Sequence, residues 1–227
     1  MHYLLVIAVV AILLYAPQLW VRYILNRYNR AAEENFTGSG GELARHLLDR
    51  YGLENVAVEK SDLGDHYDPH SRSVRLTADK FDGRTLTAIT VAAHETGHAL
   101  QHAVQQPMFA LRTRLVVIAA QSAKVGTLLL VSAPLLALLT RAPAAALAPV
   151  AGALLMMGAG VVVQLVTLPV ELDASFNKAL PILQQGYLRE EQLPAARRIL
   201  RAAALTYVAA SLASLLNLGR WLMVLRK

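Results

Sequence analysis

The sequence predicts a mainly α membrane protein with a small α+β part, about four transmembrane helices, and one helix carrying an H-E-x-x-H motif. Three observations predict this. The chain of 227 residues is 55% hydrophobic and 17% charged, with a mean hydropathy of +0.39, too apolar for an ordinary water-soluble domain. The apolar residues gather into four blocks of bilayer length, at 3–21, 115–139, 144–168 and 202–224. The motif His94-Glu95-Thr96-Gly97-His98 sits among Ala92, Ala93, Ala99 and Leu100, which are good helix formers.

The first block, 3–21, carries no charge, and Tyr3, Tyr15, Trp20 and Tyr23 mark its ends as interfacial aromatics. It does not read as a cleaved signal. No basic residue precedes it, and Pro17, Gln18 and Trp20 stand where a cleavage site needs small side chains. Arg22, Arg27 and Arg30 follow at once and place 22 onward on the cytoplasmic side.

The stretch 22–114 holds the motif and is the expected catalytic part. Ser39 and Glu42 form a capping box that opens a helix to about Arg50, with Leu43, Leu47 and Leu48 as its buried stripe and Gly52 closing it. Val56–Val58 reads as a short strand. His66-Tyr67 and Val74–Leu76 flank the turn Asp68-Pro69-His70-Ser71. Val74, Arg75 and Leu76 are the candidate edge strand for an extended peptide, bound by strand addition.

The motif helix is expected over about 84–106, with Asp82 as its N-cap and Leu86, Ile89, Thr90 and Ala93 facing inward. Residues four apart share a helix face, so His94 and His98 can reach one cation. Glu95 then lies beside the metal, where its carboxylate can take a proton from a metal-bound water. Gly97 costs about 1 kcal/mol against Ala in a helix and points to a close approach by another segment. His102 lies one further turn along, at a spacing that does not suit a third ligand; it reads as a supporting or surface residue.

The blocks 115–139 and 144–168 are joined by a tight turn around Arg141 and Pro143 and form a membrane hairpin, with Lys124 snorkelling from the first. The sequence has no cysteine, so a zinc site must use His and carboxylate. An open H-E-x-x-H site needs a third protein ligand. Two crossings return the chain to the side of His94, which places Glu171 on the correct face to be that ligand. Asp173 is a candidate acceptor for a ligand imidazole N–H. The segment 169–201 then combines the third-ligand helix with a basic stretch, and 202–224 is the last expected span.

The net charge of +6 invites a nucleic-acid reading, but the arginines lie beside apolar blocks without an aromatic surface, so no nucleic-acid partner is expected. Seventeen of the 22 Lys and Arg fall in 22–114 and 171–201 and four on the other side. This places a multi-pass protein in the bacterial cytoplasmic membrane with a cytoplasmic catalytic face.

At these residues the chain resembles the YugP-like membrane zinc metallopeptidases. The resemblance rests on the N-terminal span, DHYDP (65–69), VRLT (74–77), VAAHETGHALQH (91–102) and PVELDAS (169–175). A more distant similarity links it to HtpX-like and CAAX prenyl proteases, in which an Asp follows the ligand Glu by four residues; Ser175 holds that place here. The resemblance implies a zincin-like catalytic part, one Zn2+ per chain, and a gluzincin-type endopeptidase acting on peptides or proteins, membrane proteins among them. The ligands are then His94, His98 and Glu171, with Glu95 as general base. The rival reading is a membrane scaffold or chaperone-like protein with a structural zinc. It predicts four protein ligands and no role for Glu95.

Overall fold

A computed structural model describes residues 2–30, 36–206 and 209. Helix α1 (His2–Arg27) contains the whole first apolar block and runs beyond it through Arg22. Its C-terminal half turns Val21 and Ile24 into the core and leaves Leu19, Trp20 and Tyr23 exposed.

Helix α2 (Gly40–Arg50) starts at the predicted capping box. The Ser39 hydroxyl accepts from the Glu42 N–H at 3.2 Å, and the Glu42 carboxylate accepts from the Ser39 N–H at 2.7 Å. Leu43, Leu47 and Leu48 are buried as expected. Gly52, at φ 70°, lets the chain leave the helix in the left-handed region that side chains disfavour.

Three short strands follow: β1 (Ala57–Lys60), β2 (His66–Asp68) and β3 (Ser73–Leu76). The predicted hairpin is present, with His66 opposite Arg75 and Asp68 opposite Ser73. The turn between its strands is held by the Asp68 carboxylate, which accepts from the His70 N–H and the Ser71 hydroxyl. The sheet order is β1-β3-β2, with β1 parallel to β3. This corrects the expected substrate strand. Val74, Arg75 and Leu76 lie on the central strand, whose two edges are both paired, so β3 has no backbone left for a peptide. The edge beside the hairpin is β2.

Helix α3 (Ala78–Phe81) is a single turn, and α4 (Leu86–Ala103) is the motif helix. Its N-cap is Thr85, whose hydroxyl accepts from the Ala88 N–H at 3.1 Å. Asp82 instead ends α3 and pairs with Lys60 at 2.6 Å. Val74, Leu76 and Tyr67 from the sheet, Leu47 and Leu48 from α2, and Ile89 and Ala93 from α4 form one buried cluster.

Helices α5 (Pro107–Thr140) and α6 (Leu147–Leu172) pack along each other as the expected hairpin. Among the described residues, α5 and the stretch Pro143–Gly160 are long and apolar enough to cross a membrane. The described residues thus show two candidate spans, where about four were expected over the whole chain. The last expected span, 202–224, lies mostly outside the described residues. Leu128, Leu138, Leu139 and Leu155 project outward from the hairpin, as suits a lipid environment.

After α6 the helix widens into a π-helical segment, Asp173–Ala179, before α7 (Leu180–Gln184). The chain ends its described course in helix α8, 193–206, which buries Ile199 and Leu200.

Candidate metal centre

Helix α4 is buried along almost its whole length, because α2, the sheet and the π segment all pack on it. The π segment can come so close because residue 97 has no side chain. A Cβ there would stand 2.8 Å from the Ala174 carbonyl oxygen. This is the close approach expected from Gly97, and it brings the end of α6 over the motif.

His94, His98 and Glu171 meet there, each buried, with one ligand atom apiece inside a common 4.8 Å. Oε2 of Glu171 lies 3.2 Å from Nε2 of His94 and 3.1 Å from Nε2 of His98. The protons on the two rings follow from what their other nitrogens meet. Gln101 donates its amide N–H groups to the Val170 carbonyl at 2.9 Å and the Asp173 carboxylate at 2.8 Å. Its Oε1, 2.9 Å from Nδ1 of His98, can only accept, so that Nδ1 carries the proton. Ser175 donates its hydroxyl to the Leu200 carbonyl at 3.1 Å and accepts from Nδ1 of His94 at 3.0 Å.

A neutral ring then turns its Nε2 lone pair to the Glu171 carboxylate oxygen, and either a proton or a cation has to lie between them. A cation held there by both rings and the carboxylate makes the three a ligand set. The separations of 3.1 and 3.2 Å match the edge, about 3.3 Å, of a tetrahedron with zinc-to-ligand bonds of about 2.0–2.1 Å. Two His and one carboxylate suit zinc, and the residues present fit it.

Glu95 follows the first ligand and is buried. Burial pushes its carboxyl up to about 7; the neighbouring His94 charge opposes this and the Glu171 charge adds to it. Burial also opposes the charge of Glu171. There His98 and His94 outweigh it and hold the carboxyl below the ordinary carboxylate range.

The predicted supporting residues are arranged differently from expectation. Asp173 does not touch an imidazole. It acts through Gln101, and Ser175 takes the place on His94 that an aspartate was expected to fill. His102 stands outside the cluster of His94, His98 and Glu171, in keeping with its spacing. Its Nδ1 meets the Tyr67 hydroxyl at 2.8 Å, and its ring packs on Phe109. Sequence reasoning missed Gln101, Ser175 as a partner, and Arg112. Gln101 does lie three residues after His98, on its side of the helix. Arg112 announces itself only as a charge at the entrance of an apolar block. It is buried, and its Nη2 lies 3.3 Å from Oε1 of Glu171. A cavity of about 220 Å³ lies between β2 with its turn and the start of α5, bordered by His66, His70, Arg112, Thr113 and Val116.

Two buried imidazoles and a carboxylate from a later helix converge beside a second glutamate as a set able to hold a metal ion. The chain belongs to the family described as "Putative neutral zinc metallopeptidase", which it matches over residues 3–226. It is 37% identical over 209 residues to "Putative membrane protease YugP" of Bacillus subtilis (strain 168), covering 91% of this chain and 89% of that protein. No solved structure matches. The family relation and the two apolar helices together support association with a membrane.

Proposed function

We propose that this protein is a membrane-embedded zinc endopeptidase of the gluzincin type, with His94, His98 and Glu171 holding one zinc and Glu95 as general base. The observation that carries the reading is the pair of Nε2 atoms aimed at one oxygen of Glu171, with Glu95 next in sequence to the first of them. Zinc bound there supplies a Lewis acid that polarises a scissile carbonyl and acidifies a water. Glu95 takes the proton from the attacking water and passes it to the leaving amine. Its carboxyl, raised by burial, binds that proton more readily than an exposed glutamate would, which suits a group that must carry it between two steps. Gln101 and Ser175 hold the rings in the tautomer that keeps both lone pairs turned inward.

Three protein ligands leave a fourth position for water and substrate, whereas structural zinc sites are closed by four. Among the described residues the cluster contains three, which favours the catalytic reading over the scaffold. An extended peptide or protein substrate would pair with the outer edge of β2, beside the cavity at Arg112, with cleavage at the cytoplasmic membrane surface. Zinc content of the detergent-purified protein tests the centre. One zinc per chain, lost in Glu171→Ala, is the expected result; zinc retained in that variant would move the third ligand elsewhere and end this assignment.

A further inference from the structure

Arg112 stands at the candidate centre, and the hydrolytic reading leaves it without a role. It lies in the second turn of α5. Phe109, one turn earlier on the same helix face, packs against the His98 ring at 6.1 Å between centroids and fixes that face over the site. Arg112 and Glu171 are both buried, and the ion pair between them is 3.3 Å long. The two oxygens of Glu171 thus have different partners. Oε2 faces the two imidazoles, while Oε1 makes no hydrogen bond and faces the guanidinium across the ion pair. A carboxylate beside a dication is otherwise able to turn and offer both oxygens. Doing so would fill the coordination position that hydrolysis needs.

We propose that Arg112 is the positioning residue of the third ligand: by holding Oε1 it limits Glu171 to one ligand oxygen and keeps a coordination position open. This rests on the zinc reading above. Arginine suits the task because its guanidinium stays charged when buried and sits on a rigid plane, so its charge holds Oε1 from a fixed side. A lysine would offer a compact charge with less control of direction.

Cobalt(II) loaded into the full-length, detergent-purified protein tests this without a substrate. Four-coordinate cobalt absorbs visible light several-fold more strongly than five-coordinate cobalt. The wild type is expected to give the strong spectrum. Arg112→Met is expected to bind cobalt about 10- to 100-fold more weakly and, once saturated, to show the weak spectrum as Glu171 supplies both oxygens. Arg112→Lys should recover most of the intensity. If Arg112→Met does not fold, Arg112→Gln carries the same expectation, being similar in size and neutral. A saturated spectrum unchanged in the neutral variant, with only a lower unfolding temperature, overturns the proposal alone and makes Arg112 a structural residue. Failure of the wild type to bind cobalt overturns it together with the metallopeptidase reading.

Discussion

Gly97→Ala isolates the close packing that builds the centre. The new Cβ would meet the Ala174 carbonyl oxygen at 2.8 Å, with the Lys178 Cβ at 3.3 Å. The first neighbour is backbone, so the π segment has to move rather than a side chain rotate. Two terms oppose each other. Replacing a helical Gly by Ala contributes up to about 1 kcal/mol to stability. Overpacking a tight contact costs about 1–3 kcal/mol. The net expectation is destabilisation of about 1 kcal/mol, a small drop in unfolding temperature. The functional effect is larger, because the segment that shifts carries Ser175 and continues directly from Glu171. A displacement of a few tenths of an ångström at that segment disturbs both the third ligand and the hydrogen bond that orients His94. Zinc affinity, measured by competition with a chromogenic chelator, should fall at least tenfold. Gly158→Ala is the control. It adds a Cβ within the same type of helix where nothing stands within 4 Å, and it should leave zinc affinity unchanged. If Gly97→Ala binds zinc as tightly as the wild type, the close approach is not what positions the third ligand.

Other expectations follow from the same geometry. Ser175→Ala removes the acceptor that fixes the His94 tautomer, and zinc affinity should fall about 10- to 100-fold with the fold intact by circular dichroism; wild-type affinity would show that the tautomer is set elsewhere. Glu95→Gln should keep its zinc and lose hydrolysis of any peptide the wild type cleaves, and chelation of the wild type should abolish the same activity. In the metal-free protein the Glu95 carboxyl has a folded-state pKa raised to about 7 by burial. Its protonated form is therefore favoured by folding, and the stability linked to it is present below the unfolded-state pKa and lost as pH rises through about 7. Unfolding temperatures of the metal-free wild type should fall across that range more than those of Glu95→Gln, and equal slopes would remove Glu95 as the cause.

The order of the chemistry was legible because it is local. His94, Glu95 and His98 share one helix, and a four-residue spacing places both rings on one face whatever surrounds them. The capping box at Ser39 and Glu42, the leucine stripe of α2 and the 66–76 hairpin are likewise set by neighbours a few residues apart. Glu171 was reached by counting crossings, which needs only apolar block lengths. The expectation at Asp82 failed because two residues suited to capping, Asp82 and Thr85, compete within one turn, and the single-turn helix α3 takes the first of them. The expected substrate strand failed for a different reason. Alternation in Val74, Arg75 and Leu76 reveals a half-buried strand, but it carries nothing about which neighbours pair with it.

By itself, the sequence determined the motif, the candidate third ligand, the absence of cysteine ligation and the apolar blocks that tie the chain to a membrane. Only the tertiary structure decided the order of the sheet, the route by which Asp173 reaches His98 through Gln101, the pairing of Ser175 with His94, and the meeting of Arg112 with Glu171. Each of these joins residues brought together by the packing of α5 and the π segment on α4 and of the strands on one another. The energies that select such contacts depend on burial and on steric fit at places such as Gly97, and neither is encoded in any short window of the chain.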